Sequence, residues 1–216
     1  MNQRAAACRV KVFIDYKSPY AYLAKDLIYE LEGDSCVKVD WLPYDLDFAD
    51  KYAGVSSVEA GGAVVINRSP HQWRRTKYEY MNCRREANLR GPRLIIRGTQ
   101  KIWDSTLAAI GMLYAKEQGV FRAYNDRVFE RFWKRELDIE DPGVLAAVLA
   151  EAGADAAGFP AFLEGEGRQL QSRIQRDAEA AGVFGVPSFL FDDGDLYWGR
   201  EHLPRIASLC AARVAA

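Results

Sequence analysis

Within residues 10–41 the chain spells a strand, an amphipathic helix and a second strand in direct succession, the order of a βαβ unit. Val10-Lys-Val-Phe-Ile14 is β-branched and nearly alternating, the pattern of a half-buried strand. Tyr20, Leu23, Ala24, Leu27, Ile28 and Leu31 then recur at helical spacing, and Gly33 follows as a C-terminal cap. Val37-Lys-Val-Asp-Trp41 alternates as the second strand. Two strands joined through a helix lie parallel, with a right-handed crossover.

The middle of the chain differs in character. From about Ser56 to Gly182 the segments are long, apolar at helical period and poor in strand signals. Helices are expected over 102–116 and 120–135, joined at Gln118-Gly119. Asp141-Pro142 opens a short one that ends at Gly153, and residues 167–181 form another, stopped at Gly182. Strand character returns with Ser188-Phe-Leu-Phe191, the turn Asp192-Asp-Gly-Asp195 and Leu196-Tyr-Trp198, which read as a hairpin. A terminal helix runs from about Glu201 to Arg213. Without the insertion the order is β-α-β, then α-β-β-α, which is thioredoxin topology. The expectation is therefore an α/β, thioredoxin-like fold with a large all-helical insertion. The thioredoxin-like domain is discontinuous, over 8–55 and 166–216, and the helical insertion occupies 56–165.

Composition narrows the function. With 49% hydrophobic residues the 216-residue chain can bury an ordinary core, and a net charge of −1 argues against a global polyanion binder. Cys8, Cys36, Cys83 and Cys210 form no Cys-x-x-Cys, disulfide framework or zinc cluster, which favours a reducing compartment. Two histidines and scattered cysteines give no metal constellation. Gly165-Glu-Gly167 lacks both the third glycine and the preceding strand of a dinucleotide fingerprint. Met1 to Arg9 contain no apolar core of signal-peptide length, and no stretch approaches the roughly 20 apolar residues of a membrane span. A cytoplasmic protein with no membrane and no nucleic-acid partner is expected.

Three places can carry chemistry. Ser18-Pro19 opens the first helix. Serine at an N-cap with proline at the first helical position is a common helix start, worth about 1 kcal/mol. The same helix end also stabilises an anion: a thiol with pKa near ~8.5 in water is acidified at such a position. Ser18 then serves as a hydroxyl donor. His71 and His202 show no triad spacing that would make it a nucleophile. Second, Val186-Pro187 precedes a strand; a cis bond there would free the Val186 backbone to pair with an extended ligand. Third, Arg200 and Glu201 join the last strand to the last helix; Glu201 complements the helix dipole or binds an amino group.

Ten Lys or Arg residues between 68 and 101 face only Glu79 and Glu86, interleaved with Trp73, Tyr78 and Tyr80. This stretch reads first as a solvated helix face with Trp73, Tyr80 and Ala87 inward, and next as a surface that recruits small carboxylates. Nucleic-acid binding ranks behind both.

Phe13-Ile-Asp-Tyr-Lys-Ser-Pro-Tyr-Ala-Tyr-Leu-Ala24 and Gly182-Val-Phe-Gly-Val-Pro-Ser-Phe189 resemble the signatures of 2-hydroxychromene-2-carboxylate isomerases and kappa-class glutathione transferases, both of the DsbA-like thioredoxin superfamily. The resemblance implies reduced glutathione as cosubstrate, no metal, an aromatic catabolite as substrate and a homodimer. It also implies roles. Ser18 matches the serine that hydrogen-bonds the glutathione sulfur. Val186, before a cis Pro187, matches the residue whose backbone pairs with the tripeptide. Asn67, in Ile66-Asn-Arg-Ser-Pro70, matches an asparagine that holds the ligand. Lys77 matches a lysine at slightly different spacing, with Arg75 as its rival. Arg200 and Glu201 stand where the family has a small or amide residue followed by Asp, so the acid is one methylene longer and a cation is added. Trp41, Trp73 and Trp103 are candidates for the apolar wall. A disulfide oxidoreductase would need a sulfur pair where this chain has Ser18 and Ala21. A kappa-like transferase or peroxidase and a non-catalytic thioredoxin-fold binding module are the alternatives.

Overall fold

β1 (Cys8–Ile14) and β2 (Val37–Pro43) pair in parallel, from Cys8 opposite Val37 to Ile14 opposite Pro43. The crossover between them is α1 (Pro19–Gly33). Along β1, buried Cys8, Val10 and Val12 alternate with exposed Arg9 and Lys11; the strand then runs wholly buried through Phe13 and Ile14 into the α1 corner. The computed structural model describes residues 7–33, 37–46, 56–58, 64–66, 69–91, 94–98 and 101–215.

The stretch between β2 and the final hairpin is helical except for a short antiparallel ribbon, β3 (Ser56–Val58) with β4 (Val64–Ile66). The sequence reading of an all-helical insertion missed it. Three β-branched residues in a row at 64–66 were the available signal. Next come α2 (Pro70–Leu89), α3 (Thr106–Glu117), α4 (Phe121–Trp133), α5 (Pro142–Ala152), α6 (Phe159–Glu164) and α7 (Glu166–Ala180). α3 begins later than expected because the Asp104 carboxylate accepts the Thr106 N–H at 2.8 Å, which favours a helix start there over one at Ile102. α5 follows its sequence signals closely: Asp141 Oδ1 accepts the N–H groups of Gly143 and Val144, and Gly153 closes the helix at φ +98°.

β5 (Ser188–Phe191) joins β1 antiparallel and β6 (Leu196–Trp198) joins β5, giving the sheet order β2-β1-β5-β6. A 3₁₀ turn over Arg200–His202 leads into α8 (Leu203–Ala215). One contiguous core contains sheet residues Val12 and Phe189, α1 residues Leu23 and Ile28, and inserted-helix residues Ile110, Met112, Phe129 and Leu149, all fully buried or nearly so. Among the described residues no helix is long and apolar enough to cross a membrane, and no group of His, Cys, Asp and Glu could hold a metal ion.

Candidate functional site

Where β1 ends, the chain turns through Asp15, Tyr16 and Lys17 into α1, and Ser18 lies at the mouth of that helix, 4% exposed. Its Oγ accepts the Ala21 N–H at 3.2 Å, and its own N–H donates to the Asp15 carbonyl at 3.0 Å. Capping consumes one acceptor lone pair of the hydroxyl and leaves its proton available for donation.

Ser18 opens into a cavity of about 820 Å3. One wall is the α1 mouth, with Lys17, Pro19 and Tyr20; a second is α2, with Trp73, Arg74, Arg75, Lys77, Glu79 and Tyr80. Gly98, Lys101, Ile102 and Trp103 line a third side, while Val186, Pro187, Trp198, Gly199, Arg200 and Glu201 close the fourth. Ser18, Lys77, Val186, Pro187, Arg200 and Glu201, each singled out from sequence, thus share one cavity with the rival Arg75. Asn67 lies outside the described residues. The Val186–Pro187 peptide bond is cis. Among the described residues no hydrogen bond holds the Val186 N–H or C=O, whereas the Pro187 carbonyl accepts from Gly199 at 2.9 Å. The hydroxyl of buried Tyr44 donates to the Val183 carbonyl at 3.1 Å and fixes the start of this loop against the segment after β2.

The aromatic walls only partly match expectation. Trp73 and Trp103 line the cavity, but Trp41 does not: it is 2% exposed, between Tyr29 and Phe121 in the core. Trp73 does not point inward as a core residue; it is 52% exposed at the cavity rim, while Cys83 and Ala87 of that helix are buried and Tyr80 packs half-buried against the core. Trp198 was missed. Its indole packs over Gly185, where an added Cβ would come within 2.5 Å of Nε1, and its ring centroid lies 4.9 Å from that of Phe184.

Charges around the cavity divide into paired and unpaired. Arg75 pairs with Glu79 at 3.0 Å. Lys101 pairs with Glu140 at 2.5 Å and lies over the Trp103 ring. Arg200 is drawn to Glu86, which also holds Arg90, so its guanidinium bridges the last hairpin to α2 and is engaged by protein. Among the described residues, Arg74, Lys77 and Glu201 have no ion-pair partner. The two cations stand at i and i+3 on α2, hence as surface neighbours. Glu201 lines the cavity from the segment after β6, its carboxylate folded over Gly199, where an added Cβ would run into Oε1. Cations without an ion-pair partner among the described residues, a carboxylate in the same condition and a hydroxyl at a helix N-terminus therefore line one cavity.

A buried polar network below Ser18 also escaped the sequence reading. The Lys17 ammonium donates to Asp45 Oδ1 at 2.5 Å and to the Leu46 carbonyl at 2.9 Å, and lies 3.6 Å from Asp15 Oδ2. Asp15 accepts the Lys17 and Leu46 N–H groups at 2.9 and 2.8 Å. Asp15 three residues before an N-cap was the one local hint; Asp45 is too distant in sequence for any pattern to reveal.

A family model described as DSBA-like thioredoxin domain matches residues 9–211. The uncharacterized protein YwbO of Bacillus subtilis is 26% identical over 189 residues, 85% of this chain and 86% of that protein. A 2-hydroxychromene-2-carboxylate isomerase of Sphingobium xenophagum is 25% identical over 205 residues, 92% of this chain and 96% of that protein. Among solved structures, a 2-hydroxychromene-2-carboxylate isomerase superimposes with a TM-score of 0.72 at 22% identity, over 94% of this chain and 95% of that one.

Proposed function

The chain belongs to the DSBA-like thioredoxin domain family, and we propose that within it the protein is a glutathione-dependent isomerase of a 2-hydroxychromene-2-carboxylate-like aromatic catabolite. The observation that carries this reading is the cavity's lining: Ser18 at the α1 mouth, together with Arg74, Lys77 and Glu201, which have no ion-pair partner among the described residues. Glutathione has carboxylates, an ammonium group and a thiol between them, which is the complement of those three features. The Val186 backbone adds a donor and an acceptor for an extended tripeptide. Ser18 and Ala21 stand where a redox pair would, and the cysteines among the described residues, Cys8, Cys83 and Cys210, are buried.

Bound glutathione would supply a thiolate that adds to a conjugated carbon and later leaves it, so that a former double bond rotates in between. The remaining work falls to the protein. The Ser18 hydroxyl and the positive end of the α1 dipole favour the charged form of a thiol placed there. Arg74 and Lys77 orient carboxylates by charge, and Glu201 receives the ammonium. Trp73, Trp103 and Trp198 present apolar faces to an aromatic ring and displace water from it. By the same resemblance we propose a homodimer in the cytoplasm, which sedimentation of the purified chain tests.

Titration of reduced glutathione near neutral pH, followed by ultraviolet thiolate absorbance, is the experiment. Wild-type protein should develop thiolate signal, and Ser18→Ala should lose most of it while giving up about 1 kcal/mol of stability with its cap. No binding and no thiolate in the wild type would overturn the reading. A conjugation assay with an aromatic halide separates the isomerase from a kappa-like transferase using the same site.

A further inference from the structure

We propose that Lys17 and Asp15 are positioning residues that set, with opposite sign, the ionisation of a thiol held at the Ser18 position. The inference rests on the thiolate reading above and extends it to the buried charges of the turn that carries Ser18. Both residues are buried, Asp15 at 3% and Lys17 at 6% exposure, and both belong to the turn that delivers Ser18. Asp15 organises that turn through three acceptor contacts: Oδ1 with the Lys17 N–H, Oδ2 with the Leu46 N–H, and its carbonyl with the Ser18 N–H. Lys17 fastens the same turn to the segment after β2 through Asp45 and the Leu46 carbonyl. Asp45 in turn accepts the hydroxyls of Ser105 and Thr106 at 3.1 and 3.3 Å, which ties in the start of α3.

Charges held this rigidly in a desolvated layer act strongly on an anion at the next residue. Burial pushes the Asp15 carboxyl above its ordinary range, with Lys17 opposing. Burial also works against the Lys17 ammonium, but Asp15 and Asp45 outweigh it and hold Lys17 charged. The other ionisable groups facing the pair are Tyr16 beside Asp15, and Asp104 from the segment before α3. Lys77, Arg200 and Glu201 line the same cavity as Ser18. Lys17 is therefore the buried cation next to Ser18, and the nearby carboxylates offset part of its field. Removing the cation should make a thiol at Ser18 less acidic. Neutralising Asp15 should make it more acidic.

The test places the probe thiol in the chain and so does not depend on glutathione. Ser18→Cys is prepared alone and combined with Lys17→Met, Lys17→Arg or Asp15→Asn. The pKa of the introduced thiol is read from thiolate absorbance and from the pH dependence of iodoacetamide alkylation, with the parent chain as blank. Lys17→Met should raise that pKa by about one unit, Asp15→Asn should lower it by a comparable amount, and Lys17→Arg should leave it near the Ser18→Cys value. A merely structural role would loosen the same turn in both neutralised variants and move the pKa in one direction. Shifts of the same sign, or none, overturn the inference. Should Lys17→Met fail to fold by circular dichroism, the Asp15→Asn arm decides alone: a lowered pKa supports the inference and an unchanged or raised one overturns it. Glutathione failing to bind the wild type would sink the isomerase reading and leave these shifts intact.

Discussion

Cys83 sits behind the cavity wall, fully buried on α2. Burial pushes its thiol up to about 11, with Tyr20 opposing. At pH 8 about one molecule in a thousand would then carry the Cys83 thiolate. Native protein should therefore resist iodoacetamide at Cys83 under conditions that label a free thiol, and should label there after denaturation. Peptide mapping by mass spectrometry reads this directly, and rapid native labelling would mean that the chain supplies its own nucleophile. Residues such as Ser18 were legible from sequence because an N-cap is specified by a few adjacent residues. Lys17 was not: its burial depends on Asp45, 28 residues away, and a lysine before a helix ordinarily reads as solvated. Trp73 misled for a related reason, since an aromatic at helical spacing looks the same whether it packs on a core or lines a cavity.

At the scale of elements, α2 carries half of the cavity's charged residues, and pairing decides which of its cations can serve a ligand. Lys77 and Arg74 lack ion-pair partners among the described residues, whereas Arg75 is engaged by Glu79 one turn on. Lys77→Glu and Arg74→Glu should each weaken glutathione binding about tenfold, or ~1.4 kcal/mol, and flatten its salt dependence. Arg75→Ala should change it much less. Calorimetric titration at two salt concentrations checks the contrast; equal losses at all three positions would mean that α2 acts by bulk charge alone. The sequence marked most helices to within a few residues because their ends carry local chemistry, such as Asp141-Pro142 and Gly153 around α5. It could not separate paired from unpaired cations, because Glu79 and Glu86 are equally near several of them in sequence. That Arg200 reaches Glu86 follows only from the hairpin folding back onto α2.

For the whole molecule, the proposed division into a discontinuous thioredoxin-like part and an inserted helical part has to be reconciled with one core. Fully buried Tyr16, from the β1–α1 corner, packs against Tyr124 and Phe129 of α4, their ring centroids 6.3 and 4.7 Å apart, and Tyr22 of α1 stacks on Phe129 at 5.4 Å. The Lys17–Asp45 network likewise joins the sheet side to Ser105 and Thr106 at the start of α3. Separating the two parts would expose these rings and strand buried charges, each costly on its own. The insertion should therefore not melt independently. Trp133 reports on the inserted helices, Trp41 on the sheet, and both are buried. Chemical denaturation followed by tryptophan fluorescence and by far-ultraviolet circular dichroism should give coincident transitions with one midpoint. The Trp133→Phe and Trp41→Phe variants, each leaving the other reporter in place, should give single transitions too. If the fluorescence of one variant fell at lower denaturant than that of the other, the two parts would be folding units in their own right, and the cavity between α1 and α2 could open without global unfolding.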